Sequence, residues 1–162
     1  MKINTKLIAI AKNEGAYLPQ WIYHHFTIGF DEIEIYINDT TDNSVEICKK
    51  IQKNYSGLTF HLADKLRLES IKEQRSFQIS AYNNSLHRSS NTTHLMALDL
   101  DEYLICRNMN ENLPTLLERQ NSPDCLSFTF SEPKKLREKS TNLSRRASIG
   151  VISVVNSDPH AL

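Results

Sequence analysis

The chain has 162 residues, 40% of them hydrophobic and 23% charged, with Lys+Arg and Asp+Glu equal at 19. That is enough for one domain with its own core, and the balanced charge removes the basic footprint expected of a nucleic-acid-binding domain. No apolar run reaches the length of a membrane span and no signal-peptide core opens the chain, so a cytoplasmic location is expected, compatible with peripheral association at the inner face of the membrane. The four glycines, Gly15, Gly29, Gly57 and Gly150, form neither a G-x-G-x-x-G loop nor a Walker-type phosphate loop. The three cysteines, Cys48, Cys106 and Cys125, lack a C-x-x-C spacing, which excludes a zinc ribbon and a dithiol redox site.

Leu7-Ile8-Ala9-Ile10-Ala11 is a continuous apolar run and reads as a buried parallel strand. A helix is expected from Leu18, with Pro19 in its first turn and Gly29 as its stop. Leu18, Trp21, Ile22, His25 and Phe26 share one of its faces. Trp21 reads as a core residue, and only one of His24 and His25 can face the sheet. Glu32 to Ile37 alternates and reads as the second strand. Asn43 with Glu46 resembles a capping box for a helix that turns Val45, Cys48 and Ile51 inward. Leu58 to Leu62 is a third strand, Ser70 to Leu86 reads as one helix with Ile71, Gln78, Tyr82 and Leu86 aligned, and His94 to Leu98 is a fourth strand. Beyond it, Leu113 to Arg119 reads as a short helix, Cys125 to Phe130 as a strand, Pro133 to Arg146 as a basic solvated loop and Ala147 to Val155 as a final strand.

The order β-α-β-α-β-α-β predicts a parallel sheet with helices on both faces. Ligands of such sheets bind beyond the carboxyl ends of the strands. Three polar clusters fall there: Lys12-Asn13-Glu14, Asn38 to Asp42, and Asp99-Leu100-Asp101-Glu102. Strand alternation puts Asp99 and Asp101 on one side. Two converging carboxylates suit a hard divalent cation, Mg²⁺ or Mn²⁺, which can neutralise a leaving phosphate.

These residues also resemble the glycosyltransferases of the family-2-like and family-92-like group. The resemblance rests on Ala11-Lys12-Asn13-Glu14 with Tyr17-Leu18-Pro19-Gln20-Trp21-Ile22-Tyr23-His24-His25 and Gly29. It continues through Ile35 to Asp42, through Arg75, Gln78, Ala81, Tyr82 and Asn83, and through Leu98-Asp99-Leu100-Asp101-Glu102-Tyr103-Leu104. It implies an α/β domain of GT-A fold over residues 1–162, with a nucleotide-sugar-binding half at 1–105 and a partial, truncated acceptor side at 106–162. It further implies a nucleoside-diphosphate sugar donor, a glycan or lipid-linked acceptor, and Mn²⁺ or Mg²⁺ held by Asp99 and Asp101. Asn13, Asn38 and Asp39 would line the nucleotide pocket, with Arg75, Gln78, Asn83 and Asp99 toward the diphosphate or sugar. His160 would be a third metal ligand. The catalytic base is not identified, with Glu132 and Asp158 as its candidates. Ile37 stands where members of the group often carry an acid. The alternatives are a non-catalytic nucleotide-sugar-binding or protein-interaction module, and an Asp-dependent phosphatase in which the first Asp of such a motif is the nucleophile.

Overall fold

The apolar runs form a sheet, and the segments with helical periodicity cover it. The structure, a computed structural model, describes residues 3–89, 91–106, 111–121, 125–127 and 151–154, the last two segments as backbone only. The elements are β1 (Thr5–Ala11), α1 (Leu18–Ile28), β2 (Glu32–Ile37), α2 (Ser44–Gln52), β3 (Leu58–Leu62), α3 (Asp64–Lys72), α4 (Phe77–His87), β4 (His94–Ala97), α5 (Leu113–Arg119), β5 (Cys125–Ser127) and β6 (Val151–Val154). The described strands form one sheet in the order β3-β2-β1-β4-β6-β5. Strands β1 to β4 run parallel, whereas β6 is antiparallel to both β4 and β5. This is the Rossmann-like α/β arrangement expected from the alternation. The basic stretch 133–146 lies outside the described residues.

Each strand of the parallel part sends alternate side chains to opposite faces. Leu7, Ala9 and Ala11 of β1 and Ile33, Ile35 and Ile37 of β2 pack with Leu18, Trp21 and Ile22 of α1, Cys48 of α2 and Leu113 and Leu117 of α5. Ile8, Tyr36 and Leu95 meet Ala81 of α4 and Leu66 of α3 on the other face. Helix α1 begins on Pro19 and ends on Gly29, which takes the left-handed conformation at φ 110°. A Cβ at Gly29 would come within 2.7 Å of Pro114 Cδ, so glycine serves both the cap and the close approach of α5.

Two expectations are corrected. The predicted helix from Ser70 to Leu86 is two helices, with Gln74 at φ 54° between them and Arg75 N–H bonded to the Ser70 carbonyl at 2.8 Å. Ala81 and Ser85 are the buried residues of α4, whereas Ile71 and Leu86 are exposed. Asn43 makes no side-chain cap for α2; the preceding Asp42 accepts from Ser44 N–H at 3.0 Å and from its hydroxyl at 2.5 Å. On the charged side of β2, Glu34 is only 2% exposed.

Glu34 is enclosed by Tyr36 of its own strand and by three partners that the sequence leaves far apart. Its carboxylate meets Lys6 Nζ at 2.6 Å, His61 Nε2 at 2.7 Å, the Ser85 hydroxyl at 2.5 Å and the Tyr36 hydroxyl at 3.0 Å. Burial opposes its ionisation, but the bonds from Lys6, Ser85 and His61 outweigh that and hold its pKa down at about 2 against an ordinary 4.5. A depressed folded-state pKa contributes stability above pH 4.5 that is lost as pH falls toward 2. Removing one partner of a buried pair strands the other's charge. Glu34→Gln is therefore expected to lose about 3–5 kcal/mol in urea unfolding at pH 7 and to soften the acid limb of the stability curve. A variant as stable as the parent at both pH values would contradict this role.

Candidate functional site at the strand ends

The chain leaves β1 toward β2 through α1 and returns to β4, on the other side of β1, through α3 and α4. The two crossovers lie on opposite faces of the sheet. Beyond the carboxyl ends of β1 and β4 they leave the crevice in which α/β sheets bind ligands. The loops carrying Lys12-Asn13-Glu14 and Asp99–Glu102 border it.

Strand β4 ends at Ala97, and Asp99 to Glu102 forms a tight turn in which Glu102 N–H bonds the Asp99 carbonyl at 3.0 Å. Glu102 is buried, and its Oε2 accepts from Asp99 N–H at 3.2 Å. Asp99 and Asp101 are exposed, and one carboxylate oxygen from each of Asp99, Asp101 and Glu102 lies within 4.8 Å of the others. The convergence expected from strand alternation is thus achieved by a turn, which adds Glu102 as a third oxygen donor. An all-oxygen set of this kind suits Mg²⁺ or Mn²⁺. The carboxyl of Asp99 is raised by burial and by the charge of Asp101. That of Glu14, across the crevice, is raised by burial and then by Asp101 and Asp42. Crowded carboxylates whose protonation is favoured are equally relieved by a cation.

The β1 and β2 loops are stitched together. Asn13, at φ 56°, accepts through Oδ1 from Thr41 N–H at 2.7 Å, and its own N–H reaches the Thr40 hydroxyl at 3.2 Å. Gly15 N–H donates to Asp42 at 2.8 Å. Asn38 is 6% exposed, and its Oδ1 has no hydrogen-bond partner among the described residues. A buried amide oxygen left unmatched is costly unless a ligand or water serves it. Asp39 takes φ 46°, donates its N–H to Asp64 at 2.7 Å, and faces Lys12 at 3.5 Å and Arg67 at 3.2 Å.

The residues expected from the α3–α4 region separate. Gln78 donates to the Tyr82 hydroxyl at 2.8 Å. The Tyr82 phenol is raised by burial and, despite that bond, by the charges of Asp99 and Glu102. Arg75 instead pairs with Glu73. With Asn83 it lines a shallow concavity bordered by Glu69, Ser70 and His87 and by none of the strand-end residues. Arg67 and Tyr82 were not singled out as site residues by the sequence; their positions depend on where α3 and α4 break. His160, Glu132 and Asp158 lie outside the described residues.

No protein-family model matches the chain, and no curated protein is significantly similar to it. The site therefore has to be tested on its own chemistry. The chain has one tryptophan, Trp21, and its indole N–H contacts the Asp99 and Glu102 carbonyls at 3.1 and 2.8 Å. A Tb³⁺ ion at the acidic turn should therefore be sensitised by indole excitation. Strong Tb³⁺ emission is expected from the parent chain and its loss from Asp101→Asn. Equal emission from both would place the cation elsewhere.

Proposed function

We propose that this chain is a metal-dependent glycosyltransferase domain of the GT-A type, using a nucleoside-diphosphate sugar as donor. The observation that carries the reading is the convergence of Asp99, Asp101 and Glu102 beside the switch-point crevice, on the same edge of the sheet as the buried, unmatched Asn38 oxygen two strands away across β1. Asp99 and Asp101 would hold Mn²⁺ or Mg²⁺, which supplies charge neutralisation for the departing diphosphate. Asn38 offers an acceptor for a base N–H, and Asp39 would offer its carboxylate to a ribose, with Lys12 and Arg67 exchanging their ion pairs with Asp39 for phosphate oxygens. Gln78 and Tyr82, bonded to each other on α4, would orient the sugar. The acceptor is a glycan or lipid-linked hydroxyl. As its oxygen bonds to the anomeric carbon, the bond to the donor phosphate breaks, the hydroxyl proton leaves to a base, and the configuration inverts. Positioning and leaving-group electrostatics dominate such a reaction.

Support comes from the resemblance of four ordered motifs and from the parallel order β3-β2-β1-β4 that gathers three of them at one edge. Among the described residues no helix is long and apolar enough to cross a membrane.

A thermal-shift series of nucleoside diphosphates with and without Mn²⁺ tests the reading. A ligand present at a hundred times its Kd adds about 2.7 kcal/mol, or roughly 5–10 °C for a chain of this size. One nucleotide is expected to give that shift only with Mn²⁺, and Asp39→Ala is expected to reduce it while leaving the shift with pyrophosphate and Mn²⁺ intact. The matching sugar nucleotide should then release its diphosphate in the presence of Mn²⁺. No metal-dependent shift with any nucleoside diphosphate would contradict the reading, and a shift without product release would point to a binding module.

A further inference from the structure

Helix α1 brings three nitrogen-bearing rings, Trp21, His24 and His25, to the segment that carries the acidic turn. A core stripe at this spacing ordinarily carries aliphatic side chains, which contact backbone without reading it. Here every ring makes a directed bond. Trp21 Nε1 is shared between the Asp99 and Glu102 carbonyls at 3.1 and 2.8 Å, the two ends of the turn. His25 lies fully buried with Nδ1 2.8 Å from the Trp21 carbonyl and Nε2 3.3 Å from Leu104 N–H. A carbonyl can only accept and an N–H can only donate, so His25 is the neutral ring protonated on Nδ1. Burial, outweighing its bond to Trp21, lowers its pKa to about 3, so it carries no charge at ordinary pH. His24 Nε2 donates to the Leu104 carbonyl at 2.8 Å. Both backbone groups of Leu104 are thus held by adjacent histidines, and the Tyr103 ring stacks on His25 with centroids 5.8 Å apart.

We propose that Trp21 and His25 are positioning residues for the cation site, fixing the backbone of residues 99–104 so that the Asp99 and Asp101 carboxylates already converge before a cation arrives. This rests on the cation reading given above. Two carboxylates held together repel each other, and a slack turn would let them part. A turn whose ends are tied to a core indole cannot relax in this way, so the cation meets a formed site.

The test is Mn²⁺ titration of the full chain followed by electron paramagnetic resonance, which does not depend on the indole. Trp21→Phe keeps the ring and loses both bonds. It is expected to bind Mn²⁺ about ten- to a hundredfold more weakly, as is His25→Leu. His25→Gln, which restores an acceptor for Leu104 N–H, is expected to recover most of the loss. Ile22→Val is a core variant on the same helix; it should lower thermal stability without changing Mn²⁺ affinity. In the metal-free parent the Leu104 amide should already resist hydrogen exchange. Parent-like affinity in Trp21→Phe and His25→Leu, or an equal loss in Ile22→Val, would overturn the inference and leave the cation reading standing. Rapid exchange at Leu104 would overturn it whatever the variants do. A parent chain that binds no Mn²⁺ would overturn both.

Discussion

The position of β1 in the sheet is the constraint on which the site depends. It pairs with β2 on one side and β4 on the other, both parallel. Its crossovers therefore leave in opposite directions, and the loops that follow β1 and β4 border an open crevice. Chemistry placed at those two ends meets across the crevice between the diverging crossovers. Glu14 and Asp101 illustrate this: 87 positions apart in the chain, they are near enough for the charge of one to raise the carboxyl of the other.

The two faces of the sheet do different work. The face under α1, α2 and α5 is apolar and holds the larger core. The ring nitrogens on α1 bring polar bonds into it: those of Trp21 and His24 and one of His25 reach the stretch from Asp99 to Leu104, and the other nitrogen of His25 reaches the Trp21 carbonyl. The opposite face, under α3 and α4, buries Glu34 and Lys6 side by side. Ser89 also accepts from Lys6 at 3.1 Å, and Ser85 is bonded to Glu34, so the carboxyl-terminal turn of α4 is fastened to β1 and β2 by charge-assisted bonds. Such bonds demand geometry where apolar packing accepts slippage. The preceding turn of α4 carries Tyr82, which packs beside the core of this face and whose phenol feels the charges of Asp99 and Glu102.

The parts of this arrangement with local causes were legible in the sequence. Strand β1 shows as an apolar run, α1 by Pro19 and Gly29, and the acidic turn as charges directly behind a strand. The break between α3 and α4 has no such signal. It falls at Gln74, a residue with no special liking for φ 54°, and is fixed by the Arg75 N–H bond to Ser70. Reading through that break aligned Ile71, Gln78, Tyr82 and Leu86 along one helix, whereas Ile71 and Leu86 sit exposed on two. Glu34 was illegible for another reason. Its partners come from β1, β3 and α4, and alternation alone reports a charged face without saying what covers it. The carboxylates of the turn were legible by type and position behind a strand, while the way Glu102 folds back onto the Asp99 amide follows from the turn itself.

The central claim is that the acidic turn holds the cation that carries a nucleoside diphosphate across the crevice. The most direct measurement is a crystal structure of the chain grown with Mn²⁺ and the best-binding nucleoside diphosphate, with the cation located by anomalous scattering. The account predicts one strong Mn²⁺ peak ligated by Asp99 and Asp101, with diphosphate oxygens on the same ion and the base against Asn38. A nucleotide bound away from the carboxyl ends of β1 and β4, or an Mn²⁺ peak that shares no ligand with it, would contradict the account.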